Sequence, residues 1–470
     1  MRVSGTKLFA SLGVSVMVPV TLLLSGSGLA PALGASATTI SPLVPLEVVG
    51  PIFHSRVQKN APSGPPSPVY CQATYGIACY GPPDMATEYN FPTSTSGGAG
   101  QTIVIFDSYG SPTIRQDLAT FDEAYNISAP PSFKIYNPEG TTVLNYNGLP
   151  SPVNMNNKAI INKVGWAYET TLDVEYAHAM APGANIALVT VPVAETQGVQ
   201  GLQNLENAQL WALNHHLGNI WSDSFATTEQ AFNSSASILG LDKLYAMAAA
   251  DGVTVLFASG DSGVANTNKQ GAPYPYTTVN YPSSSPNVLS VGGTEITNPP
   301  STYITSYQSE SVWNDAYGAG GGGFSSIFPV TPFQKSLVQA NYLGEAARGL
   351  PDVSYNAAVI SSVLIYESFD PVYGPGWVPI GGTSAATPQW AAVVATINQV
   401  DGAQGFIVPK LYALANKPSE YAQAFHDITS GNNSSGGITG YTALQGWDAA
   451  SGLGTPNVSG LISALAPTGP

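Results

Sequence analysis

Gly381-Gly382-Thr383-Ser384-Ala385-Ala386-Thr387-Pro388 runs directly into an apolar stretch, residues 389–397. The glycines permit a tight turn, and the apolar stretch predicts a helix starting at that turn. Ser384 then sits where a helix begins, with its hydroxyl exposed beside free N–H groups and the positive end of the helix dipole. That position suits a nucleophile whose reaction generates an oxyanion. A plainer reading makes Ser384 a helix cap.

Upstream of this turn, short apolar runs alternate with helical stretches. Residues 103–106, 186–189 and 253–257 are nearly continuous apolar segments, as expected for strands buried on both faces. Residues 169–180 and 240–250 read as helices between them. The alternation predicts an α/β fold, a mostly parallel central sheet flanked by helices on both faces. A Gly/Ser/Asn-rich stretch at 431–440 reads as a binding loop or a disordered excursion.

Composition narrows the function. Of 470 residues only 9% are charged, and 29 Asp and Glu against 14 Lys and Arg give a formal charge of −15. Such a balance excludes nucleic acid as the natural partner, since phosphate neutralisation needs clustered cations. A 44% hydrophobic content supports a large core rather than disorder. Sparse charge limits self-repulsion in strong acid, although a secreted protein with a neutral polar surface would look the same.

The chain opens with Arg2 and Lys7, an uncharged apolar stretch over 8–24, and Ala35-Ser36-Ala37. These features predict an export signal at 1–37 and a secreted protein. No later stretch is apolar and long enough for a bilayer span, so no stable membrane association is expected after the signal is removed. A short extension, 38–70, precedes a body at 71–470. Cys71 and Cys79 are the two cysteines; outside the cytoplasm they predict a local disulfide, because a zinc site would need more ligands.

A serine nucleophile needs a base. None of His54, His178, His215, His216 and His426 lies in a His-Gly-Thr context. Ser262, in Gly260-Asp261-Ser262-Gly263, looks superficially like a nucleophile of an all-β enzyme, but Val264-Ala265 follows and the chain is α/β. Glu169 and Asp173 are four apart, which on a helix puts both carboxylates on one face. Two like charges there disfavour double ionisation, so a proton is shared or retained. Taken alone the pair, continued by Glu175, could equally be a solvated acidic face.

The pairing Glu169/Asp173 followed by Ala181-Pro182-Gly183-Ala184, the Ser259-Gly260-Asp261-Ser262-Gly263 segment and the Gly-Gly-Thr-Ser-Ala-x-x-Pro segment together resemble the sedolisin family of serine-carboxyl peptidases. Tyr281-Pro282, Val291-Gly292-Gly293-Thr294, the run 320–325 and Arg348-Gly349-Leu350-Pro351-Asp352-Val353 are similar to it as well, and the likeness covers roughly residues 70–470. The resemblance implies a subtilisin-like fold. It implies Ser384 as nucleophile, Glu169 as general base and acid, Asp173 as the group orienting Glu169, and Asp261 in the oxyanion hole. With ordinary carboxylate pKa values those roles require acid, roughly pH 3 to 5.

The same resemblance implies one Ca²⁺, held by the carboxylates of Asp427 and Asp448 and the carbonyls of Ile428, Leu444 and Gly446. Hard oxygen ligands suit this ion. Leu444 departs from the family pattern, which has glycine there. The extension is shorter than a family pro-segment, and Ser224-Phe225-Ala226 ends in alanine where the family has glycine. Polypeptide substrates are expected to lie extended between the Ser224 segment and residues 320–323. The expected protein is a monomeric, secreted, acid-acting endopeptidase. Its rivals are a tripeptidyl exopeptidase of the same family and a catalytically silent binding protein on the same scaffold.

Overall fold

The computed structural model describes residues 52–53, 64–93, 96–140, 158–193, 199–268, 272–297, 299–370 and 374–466. The predicted export signal and most of the extension lie outside the described residues. The central sheet has eight strands. Across it run Glu310–Val312, Leu289–Ile296, Thr254–Ala258, Ile220–Asp223, Thr102–Ser108, Asn185–Val191 and Phe133–Tyr136, with Val353–Asn356 also paired to Leu289–Ile296. Neighbours are parallel except for Glu310–Val312, which is antiparallel to Leu289–Ile296. Parallel neighbours need crossover connections, and helices supply them.

Both faces of the sheet are covered, which explains the continuous apolar runs. Ile103 and Ile105 enter one core while Val104 and Phe106 enter the other. Lys158–Met180 and Thr383–Asp401 pack on the first face; Val199–Asn214 and Lys243–Ala250 cover the second. The helix expected over 169–180 starts well upstream, at Lys158, and Pro182 follows its end. The segment 240–250 is divided. Ser235–Leu241 and Lys243–Ala250 are separate helices around Asp242, a poor residue for a helix interior, whose carboxylate accepts from Asn287 at 2.9 Å.

A second sheet contains Ala78–Tyr80, Ser361–Glu367 and Gly376–Gly381, with Ile52–Phe53 antiparallel to the last of these. Gly376–Gly381 leads directly into the helix that carries Ser384. The Cys71–Cys79 disulfide forms and ties the helix Pro68–Tyr75 to the strand Ala78–Tyr80. Residues 431–440 are not a disordered excursion: Asn432 bridges Thr442, Ser435 bridges Ile438, and the Val312 N–H donates to the Ser430 carbonyl at 3.0 Å. Among the described residues no helix is long and apolar enough to cross a membrane.

Candidate active site

Gly382 sets the nucleophile's turn. It precedes the helix at φ +117°, a conformation that side chains disfavour, and a Cβ there would stand 2.8 Å from Asp261 Oδ2. Ser384 follows in the first helical turn. The expected exposed hydroxyl is not what the structure shows: Ser384 is fully buried, because residues 383–398 of this helix are all enclosed by the sheet and its neighbours.

Glu169 and Asp173 do not form a solvated acidic face either. Glu169 is 1% exposed and Asp173 and Glu175 are fully buried. Glu175 turns elsewhere and accepts from the Tyr366 N–H at 3.0 Å. The Ser384 and Ser224 hydroxyls lie near enough to Glu169 to favour its ionised form, but both of its buried carboxyl oxygens lack a formed hydrogen bond. Ser224 donates its one hydroxyl hydrogen to Asp173 Oδ1 at 3.0 Å. The four acids and alcohols predicted from sequence therefore converge, with Asp261 close enough for its charge to act on Glu169.

Burial pushes the Glu169 pKa well above the usual carboxylate range, and the charges of Asp107 and Asp261 add to that; the Ser384 and Ser224 hydroxyls pull it down. Asp173 is likewise raised, first by burial and then by Asp107 and Glu169, while Ser224 opposes. This moves the acid limb expected of an ordinary glutamate upward. Protons are shared among these groups rather than owned by one of them.

Sequence reasoning missed Asp107. It is the penultimate residue of the Thr102–Ser108 strand and is fully buried, and Thr170 and Asp173 lie near enough to lower its pKa although its carboxyl oxygens make no formed hydrogen bond. Burial raises its pKa too. The available signal was an acid closing an otherwise apolar strand. Ser224 was read as a substrate-lining residue, and its contact with Asp173 was not foreseen.

The described histidines lie elsewhere. His178 Nε2 is 3.1 Å from the Ser128 carbonyl and 3.3 Å from Asp122. His426 stacks on Tyr307, and His215 on Trp211. The backbone of residues 320–323 packs tightly. All are buried, and Cβ atoms on Gly320, Gly321 and Gly322 would meet the carbonyls of Gly293, Ser259 and Ala449 at 2.9, 2.3 and 2.3 Å. Close backbone packing accounts for the glycines at these positions.

At the implied calcium position, the turn 444–446 runs between two aspartates. Leu444 N–H donates to Asp448 Oδ2 at 2.9 Å, and Gly446 N–H reaches both oxygens of Asp427 at 3.0 and 3.1 Å. Tyr421 also donates to Asp427, and Ala450 and Ser451 N–H groups donate to Asp448. Leu444 is not among the residues with positive φ, so its departure from glycine costs the backbone nothing. Among the described residues no three His, Cys, Asp or Glu side chains gather as a metal cluster. Two carboxylates with main-chain oxygens is a donor set that fits a hard cation but depends on carbonyls.

The subtilase family model matches residues 154–410, more than half of the chain. Kumamolisin from Bacillus sp. (strain MN-32) is 34% identical over 396 residues, covering 83% of this chain and 64% of that protein. Tripeptidyl-peptidase 1 from Canis lupus familiaris is 32% identical over 327 residues, 63% of this chain and 51% of its own length. The chain thus spans less than two thirds of the curated relatives it matches. The solved structure of Pseudomonas sedolisin, a serine-carboxyl proteinase complexed with pseudo-iodotyrostatin, superposes with a TM-score of 0.67 at 28% identity, covering 82% of this chain and 98% of that one. Its subtilisin-like architecture is the one described above, and the match runs through both the carboxylate helix and the nucleophile helix: the chain belongs to the sedolisin family.

Proposed function

We propose that the chain is a secreted, acid-acting serine-carboxyl endopeptidase. Ser384 Oγ attacks the peptide carbonyl while Glu169 takes its proton, then returns that proton to the leaving amine. Asp173 orients Glu169. Protonated Asp261 donates to the oxyanion; ionised, it would repel it, and this sets the upper pH limit. The observation that supports the reading most is the approach of Ser384 to a buried glutamate at a place no described histidine occupies. The presence of all four groups weighs against a silent binding protein.

Asp427 and Asp448 would hold a calcium ion with the carbonyls of Ile428, Leu444 and Gly446. When bound, the ion would supply cross-linking between the 427 and 444–448 loops, not chemistry at Ser384.

The similarity to a tripeptidyl-peptidase keeps a second reading in view, removal of tripeptides from free N-termini. An N-terminally blocked, unfolded protein substrate separates the two in acid, because an exopeptidase of that kind needs a free amino end. Hydrolysis by the full chain that disappears in both Ser384→Ala and Glu169→Ala supports the proposal. Retained hydrolysis in either variant refutes it.

A further inference from the structure

We infer that Thr383 is a positioning residue that fixes the acid proton of Asp261 on Oδ2. This rests on the proposed role of Asp261 and deepens it. Thr383 is fully buried. Its Oγ accepts from the Gly260 N–H at 3.1 Å and donates to Asp261 Oδ1 at 2.8 Å. The Thr383 N–H donates to the same oxygen at 2.7 Å.

The direction of these bonds follows from the inventory of donors. A backbone N–H can only donate, so the Gly260 amide must meet a lone pair of the threonine oxygen. The single hydroxyl hydrogen is then left for Asp261. Oδ1 receives two hydrogens whatever the protonation state of the carboxyl, and has no direction left for a proton of its own. The proton of neutral Asp261 therefore sits on Oδ2. That oxygen faces Gly382, where a Cβ would be 2.8 Å away, beside the turn that presents Ser384. A carboxylic acid whose proton could occupy either oxygen would spend part of its time presenting a lone pair to the developing anion.

Glu169, on the Lys158–Met180 helix, is the titratable group whose charge couples to Asp261. The other segments packed around Asp261 bring amides: Ala319 N–H donates to the Asp261 carbonyl at 2.9 Å, Gly318 lies against that carbonyl, and Asn280 Nδ2 holds the Ser259 carbonyl at 3.1 Å. Valine keeps the Thr383 methyl toward Gly293 and puts its second methyl where the hydroxyl stood, against Asp261 Oδ1 and the Gly260 N–H.

Thr383→Val removes the hydroxyl, and Thr383→Ser restores it. In the full chain, Thr383→Val should lower kcat by about 10- to 100-fold, less than the loss of an oxyanion donor itself, with KM within about twofold. Donors on Oδ1 favour the ionised carboxyl, so the alkaline limb should move to higher pH in this variant even as the rate falls. Thr383→Ser should recover both rate and limb. A second measurement does not need turnover. NMR of aspartate labelled with carbon-13 at the carboxyl, assigned with Asp261→Asn, should show Asp261 titrating at higher pH in Thr383→Val than in the parent chain. Equal titration points, an unchanged kcat, or a slower variant with an unmoved alkaline limb that Thr383→Ser does not rescue would each overturn the inference. A parent chain with no hydrolysis at any pH defeats the peptidase reading alone, and the NMR comparison still decides the role of Thr383.

Discussion

Ser224, directly after the Ile220–Asp223 strand, and Asp173, in the Lys158–Met180 helix, are joined by a buried hydrogen bond of 3.0 Å. The Ser224 hydroxyl also lies near Glu169 and lowers its pKa. Ser224→Ala removes a donor that lowers the pKa of both carboxyls. Their protons should bind more tightly, so the acid limb of kcat/KM should move to higher pH, with a loss of about tenfold at the optimum. A pH–rate profile with an unmoved acid limb would contradict this role of Ser224.

Asp107→Asn should do the reverse. Ionised Asp107 raises both Glu169 and Asp173; burial pushes Asp107 itself up to about 7, so its removal lets them ionise at lower pH to the extent that they titrate where Asp107 is charged. The acid limb should shift down by the same measurement. Opposite shifts for two neighbouring substitutions distinguish electrostatics from general damage, which would lower the rate without a signed shift.

A second pair of acids, remote from Ser384, should govern stability. Burial, and then the charge of Glu310, pushes the Glu88 carboxyl up to about 9 from an ordinary 4.5. Glu310 is bonded by Tyr89, Thr294 and Thr455, with Tyr307 and Tyr355 also facing the pair. The folded state therefore binds a proton that the unfolded chain releases near 4.5. Its stabilisation is complete below that pH and is lost as pH climbs toward about 9. Melting temperature should fall across this window, and Glu88→Gln should flatten the fall.

Arg348 and Asp352 form a fully buried ion pair at 2.6 Å, and Tyr412 donates to the other oxygen of Asp352 at 2.7 Å. Arg348→Ala strands a buried carboxylate. Destabilisation of about 3–5 kcal/mol is expected from denaturant unfolding, whereas Arg348→Ala combined with Asp352→Ala should cost less than the two single changes added.

Calcium should raise the melting temperature of the parent chain and a chelator should lower it. Asp427→Ala should remove the difference between the two conditions. A chelator without effect on the parent would argue that the turn 444–446 already satisfies both aspartates through its N–H groups.

The sequence made the parallel sheet legible because strands covered on both faces read as unbroken apolar runs, as in 103–106. Spacing and neighbouring glycines drew attention to Ser384, Glu169 and Asp173, while Asp261 was singled out only through the resemblance to the sedolisin family. Asp107 escaped because an acid at a strand end reads as the start of a loop; only the sheet order, which sets Thr102–Ser108 between Ile220–Asp223 and Asn185–Val191, brings it under Asp173. Glu88 and Glu310 lie far apart in the chain, and no local pattern joins them. The close backbone packing of the glycines at 320–322 was not legible, because a close backbone approach and an open peptide groove favour the same residue type.

The helix from Thr383 is enclosed along nearly its whole length. An engineer seeking new selectivity therefore has little freedom there: altering its side chains means rebuilding the interior. Loops rimming the molecule are the parts that can be retuned while the reactive hydroxyl stays where it is.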